Sequence, residues 1–112
     1  MKFVYICSPL KGDIEGNISR AFVYCRFAAQ QSVVPLAPHV MFAGFLDDAI
    51  QEERSYGMRM GLELLKLCSE VWVFGKRISE GMLNEISMAA ELGIPVKYFD
   101  ERCERIDLSS KL

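Results

Sequence analysis

Residues 71–86 combine a short apolar run, a glycine-bearing loop with two cations, and the start of a helix. The run at residues 71–74 is aromatic and β-branched, which is typical of a strand covered on both faces of a sheet. The helix that follows carries a carboxylate, Glu85, close to its N-terminus. Open α/β sheets bind ligands beyond the carboxyl ends of their strands, where helix N-termini carry a partial positive charge. This stretch therefore predicts a ligand site at the end of a buried strand.

Three further apolar runs alternate with helical patterns along the chain. The expected strands are residues 3–7, 33–36, 71–74 and 94–99. The expected helices are one capped by Asn17 and three at residues 41–46, 49–68 and 81–92, the last ended by Gly93. This alternation predicts an α/β domain with a small parallel sheet of about four strands in the order 2-1-3-4. In that order the loops at residues 8–12 and 75–81 flank one crevice.

Apolar spacing predicts which helix faces contact the sheet. In the first helix the apolar residues are Ile18, Phe22, Cys25 and Ala29. In the long helix they are Met58, Leu62 and Leu65, while Gly57 and Gly61 mark close helix contacts.

The composition indicates one globular domain, which we place at residues 1–99 and follow with a polar tail at residues 100–112. The chain is 25% charged and 51% apolar, with a formal net charge of −2. These values give no electrostatic reason to expect a nucleic acid or an anionic membrane as a partner. The four cysteines show no CxxC spacing, so we expect reduced packing thiols and no metal site. No signal peptide or run of ~20 apolar residues is present, which predicts a cytoplasmic protein.

Glu85 has two interpretations at this stage. Beside a ligand crevice, its carboxylate can act as a nucleophile toward an electrophilic sugar carbon. Alternatively, a Glu in an early helical turn merely complements the helix dipole. Ser79 and Gly81 are equally open: they either leave a hydroxyl and backbone amides free for a phosphate or form an ordinary cap.

Two loops and one tyrosine supply the other candidates. Lys11 and Gly12 either contact a phosphate or form a solvated turn, since their loop matches no dinucleotide or nucleoside triphosphate motif. His39 is the only histidine and can hydrogen-bond a ligand or tune a carboxylate, but the sequence has neither a metal-ligand set nor a Ser–His–Asp pattern. If Tyr5 is buried, its hydroxyl needs a partner, for which Glu85 is a candidate.

Several motifs together resemble a known superfamily. They are Tyr5-Ile6-Cys7-Ser8-Pro9 with Gly12, then Ser79-x-Gly81-Met82-x-x-Glu85-x-x-x-Ala89, then Gly93-x-Pro95-Val96. In this combination the sequence resembles the nucleoside 2-deoxyribosyltransferase superfamily, over residues 2–99. Further landmarks look like a DUF4406-like group of short phage and bacterial proteins. These are Pro38-His39, Phe45-Leu46-Asp47-Asp48, Glu53-Arg54, Trp72-Val73-Phe74-Gly75 and Ser79-Glu80-Gly81-Met82.

The resemblance implies a flavodoxin-like or Rossmann-like three-layer sandwich, usually a homo-oligomer, that needs no cofactor. It implies that Glu85 attacks C1′ of a nucleoside or nucleotide, that Tyr5 orients this nucleophile, and that water or a second base completes the reaction. It implies that Ser8, Gly12, Ser79 and Gly81 bind the sugar and the 5′ group. With the motif positions Pro9 and Met82 and with His39, the predicted substrate-binding residues are Ser8, Pro9, Gly12, His39, Ser79, Gly81 and Met82.

One position departs from the superfamily pattern. Characterised members carry an Asp that helps to protonate the leaving base, and the residue aligned with it here is Leu62. Glu63 is adjacent but points about 100° around the helix. Other groups that could replace the acid are Asp47, Asp48, Glu53 and His39. General acid help is typically worth ~10²–10⁴-fold in rate.

Three hypotheses about function follow. The first is an N-glycosidase or 2-deoxyribosyltransferase with Glu85 as its nucleophile. The second is a catalytically inactive protein that senses or sequesters a nucleotide metabolite. The third is a partner-binding protein, in which Trp72 and residues 58–60 form an interface.

Overall fold

The computed structural model describes residues 1–107 and shows one five-stranded sheet with four helices. The strands are β1 (Phe3–Cys7), β2 (Val34–Leu36), β3 (Glu70–Phe74), β4 (Val96–Phe99) and β5 (Arg105–Ile106). The helices are α1 (Ile14–Gln30), α2 (Pro38–Ala43), α3 (Gln51–Lys66) and α4 (Glu80–Glu91). The strand order is β2-β1-β3-β4-β5, and the first four strands are parallel. The predicted α/β class and the order 2-1-3-4 are confirmed.

Strand β5 was not predicted. It runs antiparallel to β4, with Tyr98 opposite Ile106 and Phe99 opposite Arg105. A tight turn precedes it, in which one carboxylate oxygen of Asp100 accepts hydrogen bonds from two backbone N–H groups, those of Arg102 and Glu104. A two-residue strand in a polar segment has no detectable period, so only the turn chemistry of Asp100 could have indicated it.

The sheet has a separate core on each face, which gives three layers. Val4 and Ile6 of β1 point toward α1 and pack with an aromatic group, Tyr24, Trp72, Phe74 and Phe99. The alternate residues Tyr5 and Cys7 point to the other face, where α3 and α4 contribute Leu65, Met82 and Ala89. Trp72 is therefore a core residue, which contradicts its assignment to an interface. No helix within residues 1–107 is long and apolar enough to span a membrane.

Helix α1 begins three residues before the predicted cap. Its N-cap is Asp13, whose carboxylate accepts from the Gly16 N–H at 3.2 Å. Asn17 lies inside the helix, and its amide donates to the carbonyls of Leu10 and Lys11 at 2.9 and 3.1 Å. The prediction of Asn17 as the cap was wrong because Asp and Asn are nearly equal cap formers and the pattern could not choose between them.

The buried face of α1 also differs from the prediction. The buried residues are Ala21, Tyr24 and Ala28, whereas Phe22 is 61% exposed. Small alanines at two of the three buried positions allow the helix backbone to approach the sheet closely, and the ring of Tyr24 occupies the third. A pattern weighted toward large apolar residues therefore chose a face rotated away from the true one.

Helices α2 and α3 pack closely at a glycine. A Cβ on Gly57 would lie 3.4 Å from a methyl carbon of Leu46 and 3.9 Å from the Phe42 ring. This confirms that Gly57 marks a close contact. Helix α2 starts at Pro38, earlier than the predicted residue 41, since proline is favoured in a first helical turn. In α3 the residues Gly61 and Leu65 are buried, while Met58 is 53% exposed.

Gly75 provides a stability test of the loop after β3. Its φ of +109° is a conformation that side chains disfavour, and an added Cβ would lie 3.7 Å from the Pro9 ring. We expect Gly75→Ala to lower the free energy of unfolding by about 1–2 kcal/mol, as measured by urea denaturation. The matched control is Gly81→Ala, where a Cβ meets nothing within 4 Å, and which we expect to be neutral or stabilising. Equal losses in both variants would contradict the strain argument.

Candidate active site

A large cleft of about 1050 Å³ is walled by α2, α3 and α4 and by the loop that follows β1. Its polar lining includes Tyr5, His39 and Glu85. Its apolar lining includes Phe42, Phe45, Leu46, Met58, Leu62, Leu65 and Met88. We call this the larger cleft. It combines a wide apolar wall with a few convergent polar groups, as small-molecule sites do.

Helix α4 holds Glu85 against the sheet. Met82 and Ala89, three residues before and four residues after Glu85, are fully buried on the same helix face. The packing of these two residues therefore directs the Glu85 carboxylate toward β1. There the Cys7 thiol donates to Glu85 Oε1, with 3.7 Å between sulfur and oxygen, and the Tyr5 hydroxyl donates to the same carboxylate. A residue that only complemented the helix dipole would not need this placement.

The surroundings of Glu85 raise its pKa to about 7. Burial is the largest cause because it disfavours the charged form, and the hydrogen bonds from Tyr5 and Cys7 oppose it. Burial and the nearby carboxylate both raise the pKa of Tyr5, so its hydroxyl stays protonated and keeps donating. The carboxyl group therefore keeps its proton to a higher pH than an exposed glutamate does, and pKa shifts of this kind are common at functional sites.

His39 and Ser8 connect the end of β1 to the start of α2. Ser8 Oγ and His39 Nε2 are 2.9 Å apart. Burial lowers the pKa of His39 to about 4, so the imidazole is neutral at pH 7. Within residues 1–107 its Nδ1 is buried without a hydrogen-bond partner, so the pair lacks the carboxylate that orients the histidine of a hydrolase triad.

A smaller cleft of about 580 Å³ lies between the two loops that the sequence predicted to be neighbours. Ser8, Pro9 and Gly12 line it from one side, and Gly75 and Ser79 line it from the other. Its ionisable lining consists of Lys11, Asp13, Arg20, Tyr24, Lys76, Arg77 and Glu101. Cations thus outnumber carboxylates, which favours an anionic ligand.

The predicted substrate-binding residues are divided between the two clefts. Ser79 caps α4, with its Oγ accepting from the Met82 N–H at 3.3 Å, and a serine in this role can still donate its hydroxyl proton. Gly81 and His39 line the larger cleft. The Met82 side chain is only 1% exposed and belongs to the core. Cys7, which sequence reasoning treated as a packing thiol, lies beside Glu85, and its alternation with Tyr5 on one strand could have indicated this.

The described residues offer no prepared metal site. Across residues 1–107, no group of three or more His, Cys, Asp or Glu side chains lies close enough to hold an ion. The carboxylates nearest the rim of the larger cleft are used locally. Glu53 accepts from the Asp47 N–H at 3.1 Å, and Asp48 forms an ion pair with Lys11 at 3.6 Å.

A family model matches this chain over residues 2–99. The chain belongs to the DUF7768 family, a domain of unknown function. No curated protein matches the sequence. The resemblance of this DUF7768 protein to the DUF4406-like group remains a prediction.

Two solved structures share the fold. The 2-deoxyribosyltransferase of Bacillus psychrosaccharolyticus aligns with a TM-score of 0.67 and 21% identity, over 96% of this chain and 79% of that one. The 2-deoxyribosyltransferase of Leishmania mexicana aligns with a TM-score of 0.63 and 18% identity, over 89% of this chain and 65% of that one. The second match thus covers slightly less than two thirds of its chain. Together the matches confirm a deoxyribosyltransferase-like fold for this DUF7768 protein.

The pKa of Glu85 makes stability depend on pH. Between pH 4.5 and about 7 the unfolded chain loses a proton that the folded chain retains, so this residue lowers stability as pH rises. We expect the Glu85→Gln variant to gain on the order of 3 kcal/mol in free energy of unfolding relative to wild type between about pH 4.5 and pH 8. The measurement is urea denaturation of both proteins across this range.

The comparison with the variant is needed because His39 acts in the opposite direction. Its lowered pKa makes the unfolded chain the better proton acceptor below pH 6.5, so it adds stability as pH rises from about 4. Subtracting the two curves cancels this contribution. A difference that does not change with pH would show that Glu85 ionises as an ordinary surface residue.

The Cys7 thiol should lower the pKa of Glu85. We expect Cys7→Ala to raise that pKa above about 7, because the carboxylate loses a hydrogen-bond donor. Cys7→Ser keeps a donor and should change the pKa less. The measurement is the pH titration of a carbon-13 label in the glutamate side chains, read by NMR. Equal pKa values in wild type and Cys7→Ala would contradict this role.

Proposed function

We propose that this DUF7768 protein is an N-glycosidase or 2-deoxyribosyltransferase that acts on a nucleoside or nucleotide. The observation that carries the proposal is the Glu85 carboxylate, which lies in the larger cleft with the Tyr5 hydroxyl and the Cys7 thiol donating to it. The two donors fix the carboxylate in one orientation. The reaction needs such a preorganised anion facing an electrophilic carbon.

In the proposed reaction, a Glu85 oxygen attacks C1′ of the sugar while the bond from C1′ to the base nitrogen breaks. The bonding electrons leave with the base, and a glycosyl ester forms on Glu85. Water or a second base then attacks C1′ and frees the carboxylate. Tyr5 and Cys7 orient the carboxylate, and Tyr5 is the stronger donor because O–H groups form stronger hydrogen bonds than thiols.

The clefts suggest where the parts of the substrate lie. The larger cleft has the volume and the apolar wall to hold a base and a sugar. The smaller cleft, with its cations and with Ser8, Pro9, Gly12 and Ser79 in its lining, suits a 5′-phosphate. Lys11 lines both clefts, so a nucleotide bound across them would contact it.

The comparisons support the proposal through the fold. Both related structures are named as 2-deoxyribosyltransferases and cover most of this chain. We also propose a homo-oligomer, because several apolar side chains beside the larger cleft are exposed, including Phe45 and Met58. A cytoplasmic location remains a prediction from the sequence.

The test is a chromatographic assay for free base after incubation with common nucleosides, deoxynucleosides and their 5′-monophosphates. We expect the wild type to release a base and Glu85→Gln to lose more than ~10³-fold in kcat/KM, because it cannot form the ester. Across pH, kcat/KM should rise toward a plateau above about 7, since the free protein must lose the Glu85 proton. Release by both proteins would rule out Glu85 as the nucleophile.

The inactive binding protein is the second candidate, favoured by the apolar Leu62 in the wall of the larger cleft. It predicts that nucleotides raise the melting temperature of wild type and Glu85→Gln equally, with no base released by either. This outcome would replace catalysis with binding as the function of the cleft.

A further inference from the structure

Two groups of the larger cleft that could pass a proton to a ligand, Tyr5 and His39, already form other contacts. The Tyr5 hydroxyl donates to Glu85, and burial keeps its pKa high, so it gives up its proton poorly. His39 is bound to Ser8 through Nε2 and is neutral at pH 7. Each of these groups can hold a ligand, but each is a weak proton donor to a departing base.

The rim carboxylates are arranged as acceptors. Asp47 accepts from the Ala49 N–H at 3.0 Å, Glu53 accepts from the Asp47 N–H, and Asp48 pairs with Lys11. In each of these contacts the carboxylate oxygens act as hydrogen-bond acceptors or as the anionic partner of an ion pair. The rim therefore supplies negative charge to the cleft.

Most of the remaining wall is apolar or aromatic, with Arg54 and Asn84 as its other polar residues. Leu62 of α3 lines the cleft together with Phe42 and Phe45, whose rings are 5.9 Å apart in an edge-to-face arrangement. Four carboxylates line the cleft against two basic side chains, those of Lys11 and Arg54. Aromatic faces and excess negative charge both attract a flat organic cation.

We propose that the substrate of this site is a cationic N-glycoside, whose base carries a positive charge while bound to C1′ and leaves as a neutral molecule. Pyridinium ribosides and N7-alkylated purine nucleosides belong to this class. The inference rests on the proposed function, because it assumes attack by Glu85.

The chemistry of this class matches the residues present. When Glu85 attacks C1′, the bond from C1′ to nitrogen breaks and its electron pair returns to the ring nitrogen. That pair cancels the positive charge, so the base leaves neutral and takes up no proton. Water then hydrolyses the glycosyl ester, giving the free sugar and releasing one proton to solvent. A neutral nucleoside would instead release an anion, for which acid help is typically worth ~10²–10⁴-fold.

The test compares substrates that differ by one methyl group and by the positive charge that this group gives the base. The matched pair is 7-methyl-2′-deoxyguanosine and 2′-deoxyguanosine, each with and without a 5′-phosphate, and nicotinamide mononucleotide provides a pyridinium probe. Each kcat/KM is divided by the uncatalysed rate of the same compound, which removes the intrinsic reactivity of the base. We expect the cationic member to exceed the neutral one by at least ~10²-fold.

A variant of the apolar wall gives an independent result. We expect Leu62→Asp to turn over the neutral substrate at least ~10-fold faster than Leu62→Asn does, because only Asp can carry a proton to the base. The ratio of kcat/KM between the cationic and the neutral substrate should therefore be smaller in Leu62→Asp. Thermal unfolding confirms that both variants fold. If either variant does not fold, the comparison of cationic and neutral substrates with the wild-type protein tests the proposal by itself.

The outcomes separate this inference from the proposed function. Faster release from the cationic substrates, lost in Glu85→Gln, supports both. Equal or faster release from the neutral substrates overturns the cationic class and leaves the glycosyl transfer intact. Release from neither class, by a folded protein, overturns both.

Discussion

The burial of the Glu85 carboxylate against β1 organises the whole site. Helix α4 packs on the sheet by burying Met82 and Ala89. Glu85 lies between them on the same helix face, so this packing places its carboxylate against the sheet. Removing an ionised carboxylate from water is costly. Here the raised pKa reduces that cost because it favours the neutral form, and the two donors on β1 stabilise the ionised form. The arrangement depends on β1 and β3 being neighbours, because α4 begins at the end of β3 while both donors belong to β1.

This dependence explains why the sequence predicted the central fold well. Buried parallel strands appear as continuous apolar runs, and β1 and β3 are of this kind, with β3 residues Val71 and Val73 fully buried. Alternation with helices then allows few topologies, so the order 2-1-3-4 could be predicted. The errors in the predicted cap and buried face of α1 arose where more than one residue suits the same structural role. Asp13 and Asn17 can both cap α1, and the alanines that actually contact the sheet contribute little to a hydrophobic pattern.

The site was predictable in part for a related reason. Motif positions on strands and at helix starts made Glu85 and Tyr5 candidates, and the structure places these two side chains together. Strand order predicted that the loops of Ser8 and Ser79 are neighbours. The division into two clefts was not predictable, because it depends on the three-dimensional packing of the helices and loops that line them. The His39 contact with Ser8 joins residues 31 positions apart and depends on the same packing. Cys7 was misjudged because a buried thiol is usually inert; its alternation with Tyr5 indicated only the face of the sheet, and the 3.7 Å distance to Glu85 Oε1 adds that it donates.

The linings of the two clefts have opposite net charge, and under the proposed function this difference would orient a bound nucleotide before any chemistry occurs. The larger cleft has more carboxylates than basic groups, and the smaller cleft has more cations. Lys11 belongs to both and pairs with Asp48, although both side chains are largely exposed, and such pairs contribute only about 0–1 kcal/mol. A ligand phosphate could therefore displace Asp48 from Lys11 at little cost. The freed carboxylate would add to the negative charge of the larger cleft, so binding at the anionic end of a ligand would strengthen attraction at its cationic end.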